Sequence, residues 1–214
     1  MDEAQPQDDT TTEIAPRPVN ADGKGANALL ADWQESAPRG VVAKPRHQVL
    51  AELFTSLLVL SARFGYKPAV GVANYLYLVN GEWVLSLIAP EEWPEDRSES
   101  CAGTCVLQPD RTWTISPSPQ LGRDTPVAEA MSRFYQAFAG SLDADGVLED
   151  LLPFHAGELS YYPRMNANAL SRSIRATVTL GDQRTIPVRE WRLALPGTDG
   201  VLLPWLAADS RDAR

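Results

Sequence analysis

The 214-residue chain is poor in the residues on which most recognisable chemistry depends. It carries two cysteines, Cys101 and Cys105, and two histidines, His47 and His155. Two thiols cannot make a disulfide framework, and the histidines lie far apart in sequence with no metal-ligand spacing of their own. A metal at Cys101-Ala-Gly-Thr-Cys105 would need two further ligands. The cysteines are therefore expected to be small buried apolar groups, and neither a metal nor a cofactor is expected. Also missing are a Gly-rich nucleotide loop, a Gly-x-Ser-x-Gly elbow, a His-Glu-x-x-His helix and a dinucleotide fingerprint. Asp143-Ala-Asp145-Gly146 opens like a calcium loop. Its Gly comes two positions early, however, and Phe154 stands where the final Glu should be. A helix-capping turn fits it better.

Clustered positive charge is lacking as well. There are 28 acidic and 19 basic residues, for a net charge of −9. Asp2, Glu3, Asp8, Asp9, Glu13 and Asp22, against Arg17 and Lys24, place −4 of that charge in the first 25 residues. Duplex binding and anionic membrane surfaces both call for Lys/Arg clusters, so neither nucleic acid nor membrane is expected as a partner. The longest apolar run, Val49 to Leu60, contains Glu52 and is too short to cross a bilayer. The opening Met-Asp-Glu-Ala has no basic start and leads into no apolar signal core, which predicts a cytoplasmic protein.

What remains is ordinary globular material, 44% hydrophobic and 22% charged, with six Trp, six Tyr and five Phe to fill a core. Residues 1–25 are acidic and nearly free of large apolar groups, so a disordered tail is expected there. A short helix over Asn27–Glu35 would place Leu29, Leu30 and Trp33 on one face. Helical spacing of Val49, Leu50, Leu53, Phe54, Leu57, Leu58 and Ser61 predicts a helix over 46–63, with Pro45 before it and Gly65 after it. Its broad stripe suits packing on a sheet, with a partner-binding or self-associating face as the alternative.

The strongest local signal is Asn80-Gly81 between two β-prone runs, which predicts a hairpin over 74–89 with a type I′ turn. Both faces of this hairpin are apolar, so it is expected in the middle of the fold. Pro90 ends it, an acidic loop runs from Glu91 to Ser100, and two short strands over 104–107 and 112–115 follow across Pro109-Asp110. Thr125-Pro126 opens a helix over 125–139, with Val127, Ala130, Met131, Phe134, Tyr135 and Phe138 as its buried stripe. A short helix is expected between Asp145 and Leu152. In the last third Ile174, Ala176, Val178 and Leu180 alternate with polar residues, and Trp191, Leu193 and Leu195 alternate after Gly181-Asp182. With Val201–Leu206 as an edge strand, this predicts C-terminal strands within 172–206. The fold class expected is α+β. Residues 26–141 form its core, and 142–214 add a β-rich extension belonging to the same domain.

Three places invite chemistry. His155 lies near Glu158, Tyr161, Tyr162 and Arg164, from which a general base with an orienting carboxylate could be built; a surface turn is the plainer alternative. Glu92-Trp93 follows the hairpin directly, where the acid could cap backbone amides and the indole plug the core, or the pair could contact a ligand. Tyr75, Tyr77, Glu92, Trp93 and Trp113 are the candidate ligand- or partner-binding residues. No catalytic residue is identifiable, and whether the protein is an enzyme stays open.

Gly65-Tyr66-Lys67-Pro68, Tyr75-Leu76-Tyr77, Gly81, Leu85-Ser86-Leu87-Ile88-Ala89-Pro90-Glu91-Glu92-Trp93 and Trp113-Thr114 resemble, in order and spacing, the signature of an uncharacterised domain-of-unknown-function family. The resemblance spans residues 65–114 and implies a helix followed by a small antiparallel sheet. It brings no activity. Pro94 departs from the family, which tends to have Gly after the Glu-Trp pair, so the turn geometry there is expected to differ. The function expected is that of a non-enzymatic interaction or adaptor module, with a protein partner and a surface that includes the acidic 91–99 loop. The alternative is a small-molecule-binding protein or an enzyme, with a pocket around Tyr75, Tyr77, Trp83, Glu92, Trp93 and His155.

Overall fold

A computed structural model of the chain describes residues 24–154 and 157–195, with side chains from residue 30 onward. The expected acidic tail up to residue 23, His155 and the strand over 201–206 lie outside the described residues. Two units separate at residue 35. The first contributes helix α1 (Lys24–Glu35), on which Leu30 and Trp33 are both exposed.

The second unit is α+β. It is built on a four-stranded antiparallel sheet of β1 (Ala73–Val79), β2 (Glu82–Ser86), β3 (Cys101–Leu107) and β4 (Trp113–Pro117), in the order β2-β1-β3-β4. The β1–β2 hairpin turns where the sequence placed it. Asn80 and Gly81 have φ of 52° and 82°, both positive as a type I′ turn requires. β3 and β4 join through a three-residue loop in which Arg111, at φ 72°, occupies the left-handed position that often carries Gly. Within the hairpin only β1 is internal. β2 is a margin strand, not a central one, and its free edge is closed by Arg63. The Arg63 N–H donates to the Trp83 carbonyl at 2.8 Å and its carbonyl accepts from the Leu85 N–H at 3.2 Å. At the opposite edge the Trp113 N–H donates to Ser56 Oγ at 2.9 Å, and Pro117 has no N–H to offer.

Helix α2 (Arg46–Ser61) is buried on almost every side. Leu50, Leu53, Phe54 and Leu58 are fully enclosed, and burying each contributes about 1.5–3 kcal/mol. The helix lies on β4 and against α5 (Tyr161–Leu180), with α4 (Pro126–Ser141) and α6 (Val188–Arg192) completing its surroundings. Such a helix packs within its own chain, which removes it as a partner-binding or self-associating face. Helix α4 (Pro126–Ser141) starts at Thr125, whose hydroxyl accepts from the Ala128 N–H at 3.2 Å. It presents Phe134, Tyr135 and Phe138 edge-on to Phe54, with centroids 5.5–5.9 Å apart.

The C-terminal third departs from expectation. Helix α5 covers Tyr161–Leu180, and α6 covers Val188–Arg192 around the fully buried Trp191. No strand lies over 172–195, so the extension is helical rather than β-rich over its described residues. The alternation that suggested a strand is local to residues 173–180. Taken from Pro163 onward, the buried positions Pro163, Ala167, Leu170, Ser171, Ile174, Thr177 and Val178 follow a helical period. Gly181-Asp182 does turn the chain, but as a helix C-cap. Asp182 adopts φ 53°, and the Gln183 and Asp182 amides donate back to the Val178 and Thr179 carbonyls. Between α4 and α6, Asp143 and Asp145 pair with Arg192 and Arg189. Leu148–Leu151 forms a single 3-10 turn in the stretch expected to be a short helix.

Candidate functional site

Strand pairing assigns side chains to the two faces of the sheet. Leu76, Leu85, Cys105, Leu107, Trp113 and Ile115 share the face that joins the main core. Tyr75 and Tyr77 point the other way, with their cross-strand partners Ser86, Val84 and Cys101. A register shift between Leu76 and Tyr77 brings Cys101 opposite Tyr77.

The segment after β2 folds back along this outer face. Tyr77 is fully buried and its hydroxyl donates to the Ile88 carbonyl at 2.9 Å. Burial, with Cys101 and Glu91 nearby, pushes that hydroxyl above its ordinary pKa, so it stays a neutral donor. The Ile88 N–H donates to Ser86 Oγ. Pro90–Glu92 forms a 3-10 turn whose first amide, that of Ala89, donates to Glu92 Oε1 at 3.0 Å. Glu92 is thus exposed and acts as a cap. Trp93 does not plug the core. It is half-buried, with the Arg97 guanidinium stacked 4.3 Å above its ring. Pro94 then serves as the N-cap of a short helix, α3 (Glu95–Ser98), and accepts from the Arg97 and Ser98 amides. Six backbone hydrogen bonds, from the Glu92, Trp93, Arg97, Ser98, Glu99 and Ser100 amides to carbonyls three or four residues earlier, therefore organise what the sequence suggested was an acidic loop.

Of the five candidate residues, the structure gathers Tyr75, Tyr77, Glu92 and Trp93 on or after the hairpin. Trp113 is separated from them. It is 1% exposed on the opposite face, in the main core. Tyr77 is likewise enclosed, leaving Tyr75, Glu92 and Trp93 with access to solvent. Beside them Leu87 and Ile88 are 55% and 41% exposed, and Glu91, Glu95, Asp96 and Glu99 are exposed as well.

A second constellation lies on the other side of the sheet, and the sequence disclosed only one of its members. Lys44 Nζ donates to Glu52 Oε1 and Oε2 at 2.6 and 2.7 Å and to Asp110 Oδ2 at 2.6 Å. These side chains are 11%, 4% and 10% exposed, respectively. Gln48 donates to Glu52, while the Thr112 amide and hydroxyl hold the other Asp110 oxygen. The triad floors an open pocket of about 310 Å³ bounded by residues 39–44, α2 and the β3–β4 loop. Burial opposes the charge on Lys44, but Glu52 and Asp110 outweigh it and hold the ammonium above its ordinary pKa. A lysine so held is a cation and not a nucleophile. Glu52, the lone acid in the Val49–Leu60 run, was the visible signal; Lys44 and Asp110 carry none without the fold.

Both cysteine thiols are free and buried, and burial pushes each above its ordinary pKa, so neither is poised as a thiolate. Among the described residues no group of three His, Cys, Asp or Glu side chains gathers to hold a metal, and no helix is long and apolar enough to cross a membrane. Comparison of the chain with family models, with curated proteins and with solved structures finds no match in any of the three.

Proposed function

We propose that the protein is a non-enzymatic interaction module that docks a protein partner on the segment Leu87–Glu99. The observation that carries this is the exposure of Leu87 and Ile88 beside Glu91, Glu92, Glu95, Asp96 and Glu99 on a segment pinned through its backbone. Two exposed apolar anchors followed along the chain by exposed carboxylates complement a basic, amphipathic segment. Pinning lowers the ordering cost of binding, because the Tyr77, Ser86 and Glu92 hydrogen bonds already hold the backbone in place. Strand addition is a poor mode here, since Arg63 lies along β2 and Ser56 with Pro117 blunts β4. A cytoplasmic setting, and membership of the uncharacterised family that residues 65–114 resemble, belong to the same proposal.

Photo-crosslinking in the native host tests it. A photoreactive residue at Leu87 should yield a discrete adduct whose partner segment is rich in Lys and Arg, and Ile88→Asp should abolish it. The same probe at Leu180, which is 60% exposed on α5, serves as control. Identical adducts from both positions, or a crosslinked segment without basic residues, would count against the proposal.

A further inference from the structure

A larger pocket, of about 580 Å³, opens where the β1–β2 turn meets the end of α2, α4 and the start of α5. Three aromatic residues line it, Phe64, Trp83 and Phe134, and its charged lining residues are Glu82, Glu158 and Arg63. Phe64 is buried while Trp83 and Phe134 are half-buried, so part of each of the latter two rings faces solvent. The three charged residues are exposed. The Ser61 hydroxyl, also in the lining, donates to the Leu58 carbonyl.

We propose that this pocket binds an alkylated ammonium ion, the cationic head of a small organic molecule. Aromatic faces attract cations through the ring quadrupole, more strongly where the pair is desolvated. The lining carries two carboxylates against one guanidinium, so a cation is favoured over an anion. Alkylation matters because the walls are mainly apolar. A primary ammonium has three N–H groups to satisfy against these walls, whereas an alkylated one has little or no N–H to satisfy and presents methyl groups to the apolar lining. The volume lies within the range of small-molecule sites, and a mostly apolar lining with a few polar groups is their usual composition. This site is separate from the Leu87–Glu99 segment and independent of the docking role proposed for it.

The test is a titration of the full chain with choline, and with its neutral isostere 3,3-dimethylbutan-1-ol, followed by the Gly81 amide and Trp83 indole resonances. Choline should shift both signals saturably and bind about tenfold more tightly than the isostere, a difference of about 1.4 kcal/mol. Trp83→Leu should weaken choline about fivefold or more. Because that change could disturb the hairpin, a Glu82→Gln/Glu158→Gln variant, altered only at exposed side chains, should also weaken choline about threefold to tenfold while leaving the isostere unchanged, as expected for two lost charge contacts. Ile88→Asp should bind choline as the wild type does, which separates this site from the docking surface. Equal affinity for choline and its isostere, displacement of choline by acetate, shifts confined to other residues, or no saturable shift at millimolar choline would each overturn the proposal.

Discussion

Replacing Lys44 by Met asks what the buried triad contributes. The substitution keeps an unbranched stem one heavy atom shorter and removes the ammonium with its charge and its three N–H donors. It leaves the Glu52 and Asp110 carboxylates facing one another without the ammonium that bridges them through three contacts of 2.6–2.7 Å. With side chains only 4% and 10% exposed, the two carboxylates stay largely desolvated, and removing one partner of a buried pair costs about 3–5 kcal/mol. For a domain of this size that lowers Tm by roughly 6–20 °C. The pH dependence has a definite sign. In the variant two carboxylates face one another without a bridging cation, so acid relieves their repulsion and the deficit shrinks as pH falls from 7 towards about 4. In the wild type Lys44 is held above its ordinary pKa of 10.5. Its contribution is then fully present below that value and is lost as pH rises through the higher folded pKa. Urea unfolding at pH 7 and pH 4.5 measures the deficit and its change with acid, and a wild-type series above pH 10.5 measures the loss of the Lys44 contribution. A second variant, Lys44→Met/Glu52→Gln, should recover about half of the loss or more, because only one carboxylate then remains. A Lys44→Met protein as stable as wild type at pH 7, or one whose deficit grows on acidification, would refute the reasoning.

Three further changes probe the frame around the docking segment and the sheet. Ser56→Ala removes the acceptor of the Trp113 N–H and should destabilise by about 1–3 kcal/mol in urea unfolding, the cost of orphaning a buried donor. Gly103→Ala would place a Cβ 2.5 Å from the Ser116 carbonyl oxygen; the β3–β4 pair must shift, and thermal unfolding should show a loss of about 1–3 kcal/mol. Asp182→Gly relieves a left-handed residue at the end of α5 and should be neutral or stabilising by up to about 1 kcal/mol in the same assay.

How legible each part was depends on where its determinants lie. Asn80-Gly81 and Thr125-Pro126 act on their own backbones, so the first hairpin and the start of α4 could be read from a few residues. Gly181-Asp182 is equally local but ambiguous, because hairpin turns and helix C-caps both use a left-handed residue. With β-branched Ile174, Thr177, Val178 and Thr179 just before it, local preference pointed to a strand. The helical spacing that contradicts this begins at Pro163, outside the window that looked alternating. Membership of the core was harder still. Trp93 and Trp113 are the same residue type, yet one sits under Arg97 at the surface and the other is enclosed between the sheet and α2. The triad joins Lys44, Glu52 and Asp110 across 66 residues, and pairing of that kind is a product of topology. The Glu91–Ser100 segment was expected to be an acidic loop because its order comes from caps and single turns, which leave no periodicity to detect.

Whether Leu87–Glu99 is a docking surface is the question on which the account turns, and nuclear magnetic resonance shift mapping addresses it most directly. Wild-type protein would be titrated with a basic amphipathic helical peptide, and with the same peptide after its Lys and Arg residues are changed to Glu. Saturable shifts should be concentrated at the amides of Leu87, Ile88, Glu91–Trp93 and Glu95–Glu99, be lost with the acidic peptide and with Ile88→Asp, and weaken as salt is raised. Shifts spread evenly over the surface, or equal for the two peptides, would contradict the docking role.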